Sequence, residues 1–152
     1  MKTLLRKQHI LEAARRKLRE NLAEYHERID ELKSVTINNE LAETASQTEG
    51  RRDADIELMD TIIEKSDQVK HDLEALEKLD AAEVLQTVQF GSVVITDQRA
   101  FLVAISVEEF EVDGINVLGL STKAPLYLAM KGMRAGDQVG VNGVTYTIKA
   151  VF

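Results

Sequence analysis

The chain has 152 residues, 44% of them hydrophobic and 30% charged, with no cysteine, no tryptophan and a net charge of −7. That length suits one medium domain or two small ones. The composition excludes disulfides and cysteine-ligated zinc, fits a reducing cytoplasm, and argues against general affinity for nucleic-acid phosphates. No run approaches the roughly 20 apolar residues of a membrane-spanning helix. The first residues, Met1 to Lys7, lack the apolar core and small-residue cleavage site of a signal peptide. The charge is uneven: residues 1–34 sum to +3, 35–80 to −8 and 81–152 to −2.

In chain order, the first predicted element is a long amphipathic helix. Leu4, Leu11, Leu18, Tyr25 and Leu32 are seven apart, and Leu22 and Ile29 fill the alternate heptad position, where Arg15 leaves a gap. A stripe repeating every 3.5 residues is the seam of a coiled coil. At ~1.5 Å per residue, about 30 residues make an arm on the order of 45 Å long. A second arm is expected from about 51 to 80, with Met59, Ile62, Ser66, Val69, Leu73 and Leu76 as its seam. Val35, Thr36, Ile37, Asn38 and Asn39 are poor helix formers, and Gly50 is a second break. They place the chain reversal between about 35 and 50 and predict an antiparallel hairpin rather than one long dimeric helix. The basic first arm and acidic second arm then attract one another across the seam. His9, His26 and His71 lack the i, i+4 partner of a helical metal site and are assigned to helix faces. "ENLAEYH" at 20–26 lies within the unbroken heptad, with Leu22 and Tyr25 as seam residues.

After about residue 84 the period shortens. "VLQTVQFGSVVITD", "RAFLVAISV" and "INVLGLS" are rich in β-branched residues and predict strands. "STKAPLYLAMKG" predicts a short helix with Pro125 in its first turn and Gly132 as a left-handed stop. Asn142-Gly143 between alternating apolar residues predicts a tight hairpin. The fold class is therefore α+β: a coiled-coil hairpin over 1–80 and a small mixed sheet with one helix over 84–152.

Two stretches resemble the Gre family of bacterial transcript-cleavage factors. Glu40, Leu41, Glu43 and Ala45 match the family's hairpin-tip motif of acid-Leu-x-Glu-Asn-Ala-Glu-Tyr, whereas Thr44 and Ser46-Gln47 depart from it. Ser121, Pro125, Leu126, Ala129, Gly132, Gly136 and Asp137 match its later motif, and Phe90-Gly91 also fits. The resemblance implies a C-terminal domain like the FK506-binding-protein fold, docked at the rim of the secondary channel of RNA polymerase. The hairpin would extend down that channel. Its tip carboxylates, Glu40 and Glu43, would help hold a Mg²⁺ shared with the polymerase, whose own active site cleaves the backtracked transcript. The protein itself would be no enzyme. Glu49 and Asp53, with Asp55, are the candidates if the reversal lies nearer Gly50. Arg51 and Arg52 beside them either touch nucleic acid or solvate the surface. Leu126, Tyr127 and Met130 are candidates for docking on the polymerase. A cytoplasmic monomer is expected, touching RNA and DNA only through the polymerase complex and no membrane. The alternatives are a channel-binding regulator without cleavage, a coiled-coil scaffold, and a prolyl isomerase, the last being poorly served by the sparse aromatics of this half.

Overall fold

The computed structural model describes the backbone of residues 2–41 and 46–152, and the side chains of 6–35 and 53–152. Two long helices, α1 (Lys2–Leu41) and α2 (Ser46–Glu77), precede six strands. The strands are β1 (Val93–Thr96), β2 (Ala100–Ala104), β3 (Val107–Val112), β4 (Ile115–Ser121), β5 (Gln138–Val141) and β6 (Val144–Val151). A short helix, α3 (Pro125–Met130), lies between β4 and β5. The α+β class expected from the change in hydrophobic period is the one observed.

The chain divides into two compact units. The sheet unit comprises residues 1–17 and 74–152, and the arm unit comprises 18–73.

In the arm unit, the rest of α1 and most of α2 bury the heptad seam between them. Leu18, Ile29, Ile62 and Ser66 are buried. Leu22, Tyr25, Leu32, Met59, Val69 and Leu73 are half-buried. Only residues 42–45 separate the two helices in sequence. The local breakers do not act as expected. α1 continues through Val35, Thr36, Ile37, Asn38 and Asn39, and α2 begins at Ser46, before Gly50. The physical reason is size: a β-branched residue or asparagine costs only about 0.5 kcal/mol in a helix and a glycine about 1 kcal/mol. Such penalties do not end a helix that a seam holds in place.

In the sheet unit the strand order is β3-β4-β2-β1-β6-β5, with β2 and β4 parallel and every other pair antiparallel. All of β2 is buried, so both faces of the sheet are covered. Phe101 and Val103 point into a core with Val88, Val94, Leu120, Tyr127, Met130 and Ile148. Ala100, Leu102 and Ala104 alternate with them and face the other side. In the same unit, the first turns of α1 bury Ile10, Leu11 and Ala14 completely. Leu11 belongs to the seam, but Ile10 and Ala14 do not, so this end of α1 is covered on a second face. Polar pairs tie it down: His9 Nδ1 lies 2.7 Å from Asp113 Oδ2, and Lys17 Nζ lies 4.0 Å from Glu108 Oε2. Residues 9 and 17 thus meet 113 and 108, so α1 runs antiparallel to β3 and guards that edge strand against stray pairing.

The strand predictions need two corrections. Residues 84–92 are irregular, and only Val93–Thr96 of "VLQTVQFGSVVITD" is a strand. Backbone bonds hold this segment: Val88 N donates to Met133 O and accepts at its carbonyl from Gly132 N, both at 2.8 Å. "RAFLVAISV" is not continuous either. A bend at Ile105-Ser106 ends β2, and Val107 opens β3, an acidic edge strand that its periodicity did not announce. Gly119 allows β3 and β4 to pair at this end, because a Cβ there would stand 2.6 Å from Val107 Cβ.

The later elements follow expectation. "INVLGLS" is β4. Pro125 occupies the first turn of α3, and Gly132 follows it at φ +81°. Asn142 and Gly143 have φ of +51° and +80°, as a two-residue type I′ hairpin requires. Asp113-Gly114, at +51° and +83°, forms a second such turn between β3 and β4.

Candidate functional site

The residues expected to carry function fall in two places, the end of the hairpin and α3. Glu40 is the penultimate residue of α1, Glu43 lies between the helices in sequence, and Glu49 stands in the first turn of α2. The side chains of Glu40, Glu43 and Glu49 lie outside the described residues. Asp53, one turn further along α2, is exposed to solvent. Asp55 differs from it. Its position four before Met59 puts it on the seam, and its Oδ2 is buried without a hydrogen-bond partner among the described residues. A carboxylate oxygen so placed has lost its water and gained nothing in return. Two carboxylates can serve Mg²⁺ together with water and substrate phosphates, since that ion takes few protein ligands. Among the described residues no group of three or more His, Asp or Glu side chains can hold a metal ion by itself.

Of the expected docking residues, two are buried and one is partly buried. Tyr127 is 5% exposed and Met130 fully buried, both in the core cluster. Leu126 is partly buried against the same cluster. A six-residue helix lying on a sheet must turn this apolar side inward to close the core. Pro125 and Leu128 are the exposed residues of α3, and Leu128, at 61% exposure, is its large apolar side chain facing solvent.

The later motif has a local structural basis. Ser121 closes β4 and its Oγ accepts from Lys123 N, while Ala124 N donates to Ser121 O. Asp137 Oδ2 accepts from Arg134 N at 2.9 Å, and Gly136, at φ +98°, donates its N–H to Ile148 O. These residues build the turns that carry the chain from β4 through α3 to β5. Gly91, at φ +92°, donates to Val103 O, and a Cβ there would meet Leu79 Cδ2 at 3.2 Å.

At the base of the helices two cations serve structure. Arg15, the gap in the heptad, donates from Nη2 to Leu76 O at 2.7 Å and to Leu79 O at 3.0 Å, and from Nε to Leu76 O at 3.2 Å. Leu76 O, in the last turn of α2, also accepts from Leu79 N at 3.2 Å, so the guanidinium reinforces that helix end and binds a carbonyl just beyond it. Lys7 is buried and donates from Nζ to Glu83 O at 2.7 Å. Burial pulls its ammonium below the ordinary lysine pKa, partly offset by the charges of Glu83 and Asp80. Of the histidines, His26 and His71 are exposed on helix faces, and His9 makes the bond to Asp113. Within the described residues no helix is long and apolar enough to cross a membrane.

No family model matches the chain, and no curated protein matches it. Two solved structures are similar to it over most of its length. One is the crystal structure of GreA factor homolog 1 (Gfh1) of Thermus thermophilus, at 15% identity and a TM-score of 0.33, covering 92% of this chain and 95% of that one. The other is a structure of the transcription factor Gfh1, at 17% identity and a TM-score of 0.33, covering 91% and 93%.

Proposed function

We propose that this chain is an accessory factor of bacterial RNA polymerase. Its hairpin enters the secondary channel and places Glu40 and Glu43 beside the polymerase's catalytic magnesium, and the polymerase's own centre then cleaves a backtracked transcript. The observation that carries this reading is the position of the helix ends. α1 ends at Leu41 and α2 starts at Ser46, and in sequence the two carboxylates that match the family's tip motif stand at, and just after, the end of α1, which supports this reading. A carboxylate delivered from outside completes a magnesium site that neither protein holds alone. When bound, the ion would polarise a phosphodiester oxygen and activate water. The chain's part is to hold the ion through one glutamate, orient water through the other, and keep both on a stiff support. In this reading the protein is a monomer of the cytoplasm, has no hydrolytic activity alone, and meets nucleic acid only within the polymerase complex. Docking of its sheet unit falls to the exposed Leu128 of α3.

The departures at Thr44, Ser46 and Gln47 favour a second reading, a channel-binding regulator that obstructs synthesis without cleavage. One assay separates the two. Stalled polymerase complexes carrying labelled RNA should release short 3′ fragments on addition of the protein. Glu40→Ala with Glu43→Ala should reduce that release about a hundredfold, the scale of losing a transition-state charge contact. Slower synthesis with no fragments establishes the regulator instead, and no effect on polymerase removes both readings.

A further inference from the structure

Among the described residues of the arm unit, the large apolar side chains exposed to solvent are Val35, Ile56, Leu58 and Ile63. Ile56 is 38% and Ile63 36% exposed. They are seven apart on α2, two turns along one side of the seam formed by Asp55, Met59, Ile62 and Ser66. Helical spacing puts Leu58 on the other side of that seam. Asp53, Asp60 and Asp67 are also seven apart, and the same spacing runs them beside Ile56 and Ile63, one step further from the seam. All three are exposed. Asp67 lies 4.0 Å from Lys70, whereas Asp53 and Asp60 have no ion pair among the described residues. The result is a narrow apolar ridge bordered by a carboxylate row.

The chemistry of this face restricts what can cover it. A second copy of the chain presenting this same face would bring one carboxylate row against another, and like charges placed together oppose association. Nucleic-acid phosphates and anionic lipid headgroups are repelled for the same reason. A protein surface with apolar side chains bordered by lysine or arginine meets both demands, because those side chains carry an aliphatic stem and a cationic end. We propose that the Ile56/Ile63 face of α2 is a docking surface for a basic, apolar-cored patch on RNA polymerase. This rests on the polymerase reading above and adds to it a sidedness that the tip carboxylates do not supply.

The test measures the affinity of the full-length protein for purified bacterial core RNA polymerase, by anisotropy of a fluorescent label, at two salt concentrations. Ile56→Ser with Ile63→Ser should weaken binding about tenfold or more, as for a central apolar contact. Asp53→Asn with Asp60→Asn and Asp67→Asn should weaken it severalfold and flatten its salt dependence. Val35→Ser with Leu58→Ser, on the opposite flank, should bind within twofold of wild type. Circular dichroism checks that each variant keeps its helices; should the isoleucine pair lose them, the asparagine variant decides alone. Wild-type affinity in both the isoleucine and aspartate variants overturns the docking face and leaves the polymerase reading standing. Equal losses from the two flanks also overturn it, because the face would then have no side. Failure of the wild-type protein to bind polymerase overturns both.

Discussion

Arg15 shows how far a single residue can mislead a pattern. In the heptad it is only a missing apolar side chain. In three dimensions its guanidinium makes three hydrogen bonds, two to Leu76 O in the last turn of α2 and one to Leu79 O just beyond it. No sequence pattern could have found this, because the partners are backbone atoms more than 60 residues away. Arg15→Ala should therefore cost about 1–2 kcal/mol of stability, since the bonds are part-buried and carry a charge. Urea unfolding followed by circular dichroism measures this, and Arg15→Lys should restore only part of it, having one compact donor group in place of a fork. The glycines divide in the same way. Gly132 and Gly143 were legible because they punctuate apolar runs. Gly119 was not, since its constraint is the approach of Val107 from a neighbouring strand. At the candidate site the residue types were legible from the motif match, but which side of α3 faces solvent was not. That is set by the depth of the core, which takes Tyr127 and Met130 and leaves Leu128 outside.

At the scale of elements, the strongest periodicities were the most faithful. The two seams, the Pro125 helix and the Asn142-Gly143 hairpin all formed as their patterns required. β3 was missed because an acidic edge strand lacks a clean alternation of apolar and polar residues, its central positions reading Glu-Glu. The Asp113-Gly114 turn after it was the signal that could have found it. The end of α1 lies beyond the β-branched and asparagine run because each such residue costs a helix only a fraction of a kcal/mol. One seam position works against its own element. Asp55 places a buried, unpartnered oxygen among side chains that otherwise exclude water. Replacing it with an apolar residue removes a desolvation cost of about 1–3 kcal/mol. Asp55→Leu should accordingly raise the unfolding free energy by about 1 kcal/mol or more and slow amide exchange over 51–62. Unchanged exchange there would mean that the carboxylate is satisfied by water in solution.

At the scale of the molecule, the order of elements was legible and the partition of the chain was not. A shift in period at residue 84 marks where helix gives way to sheet. The compact units divide earlier, within α1 between Lys17 and Leu18 and within α2 between Leu73 and Glu74. The cause is burial that periodicity does not report: Ile10 and Ala14 lie off the seam, yet both are fully covered within the sheet unit. The unit made of 1–17 and 74–152 should therefore fold without the segment between. Replacing residues 18–73 with a short Gly/Ser linker should leave one cooperative thermal transition and the dispersed amide spectrum of a β-sheet. A collapsed spectrum would show that the sheet depends on the removed segment.

Because Arg15 holds the carbonyls of Leu76 and Leu79, the outgoing and returning strands of polypeptide are clasped together at a single doorway. Everything beyond it is an insertion whose length is free of the host's geometry. Taking seven residues from each limb would shorten it by about 10 Å while keeping the stripe in phase. The length of the inserted segment is thus an adjustable gauge, set by whole heptads and open to lengthening or trimming without redesign of the sheet.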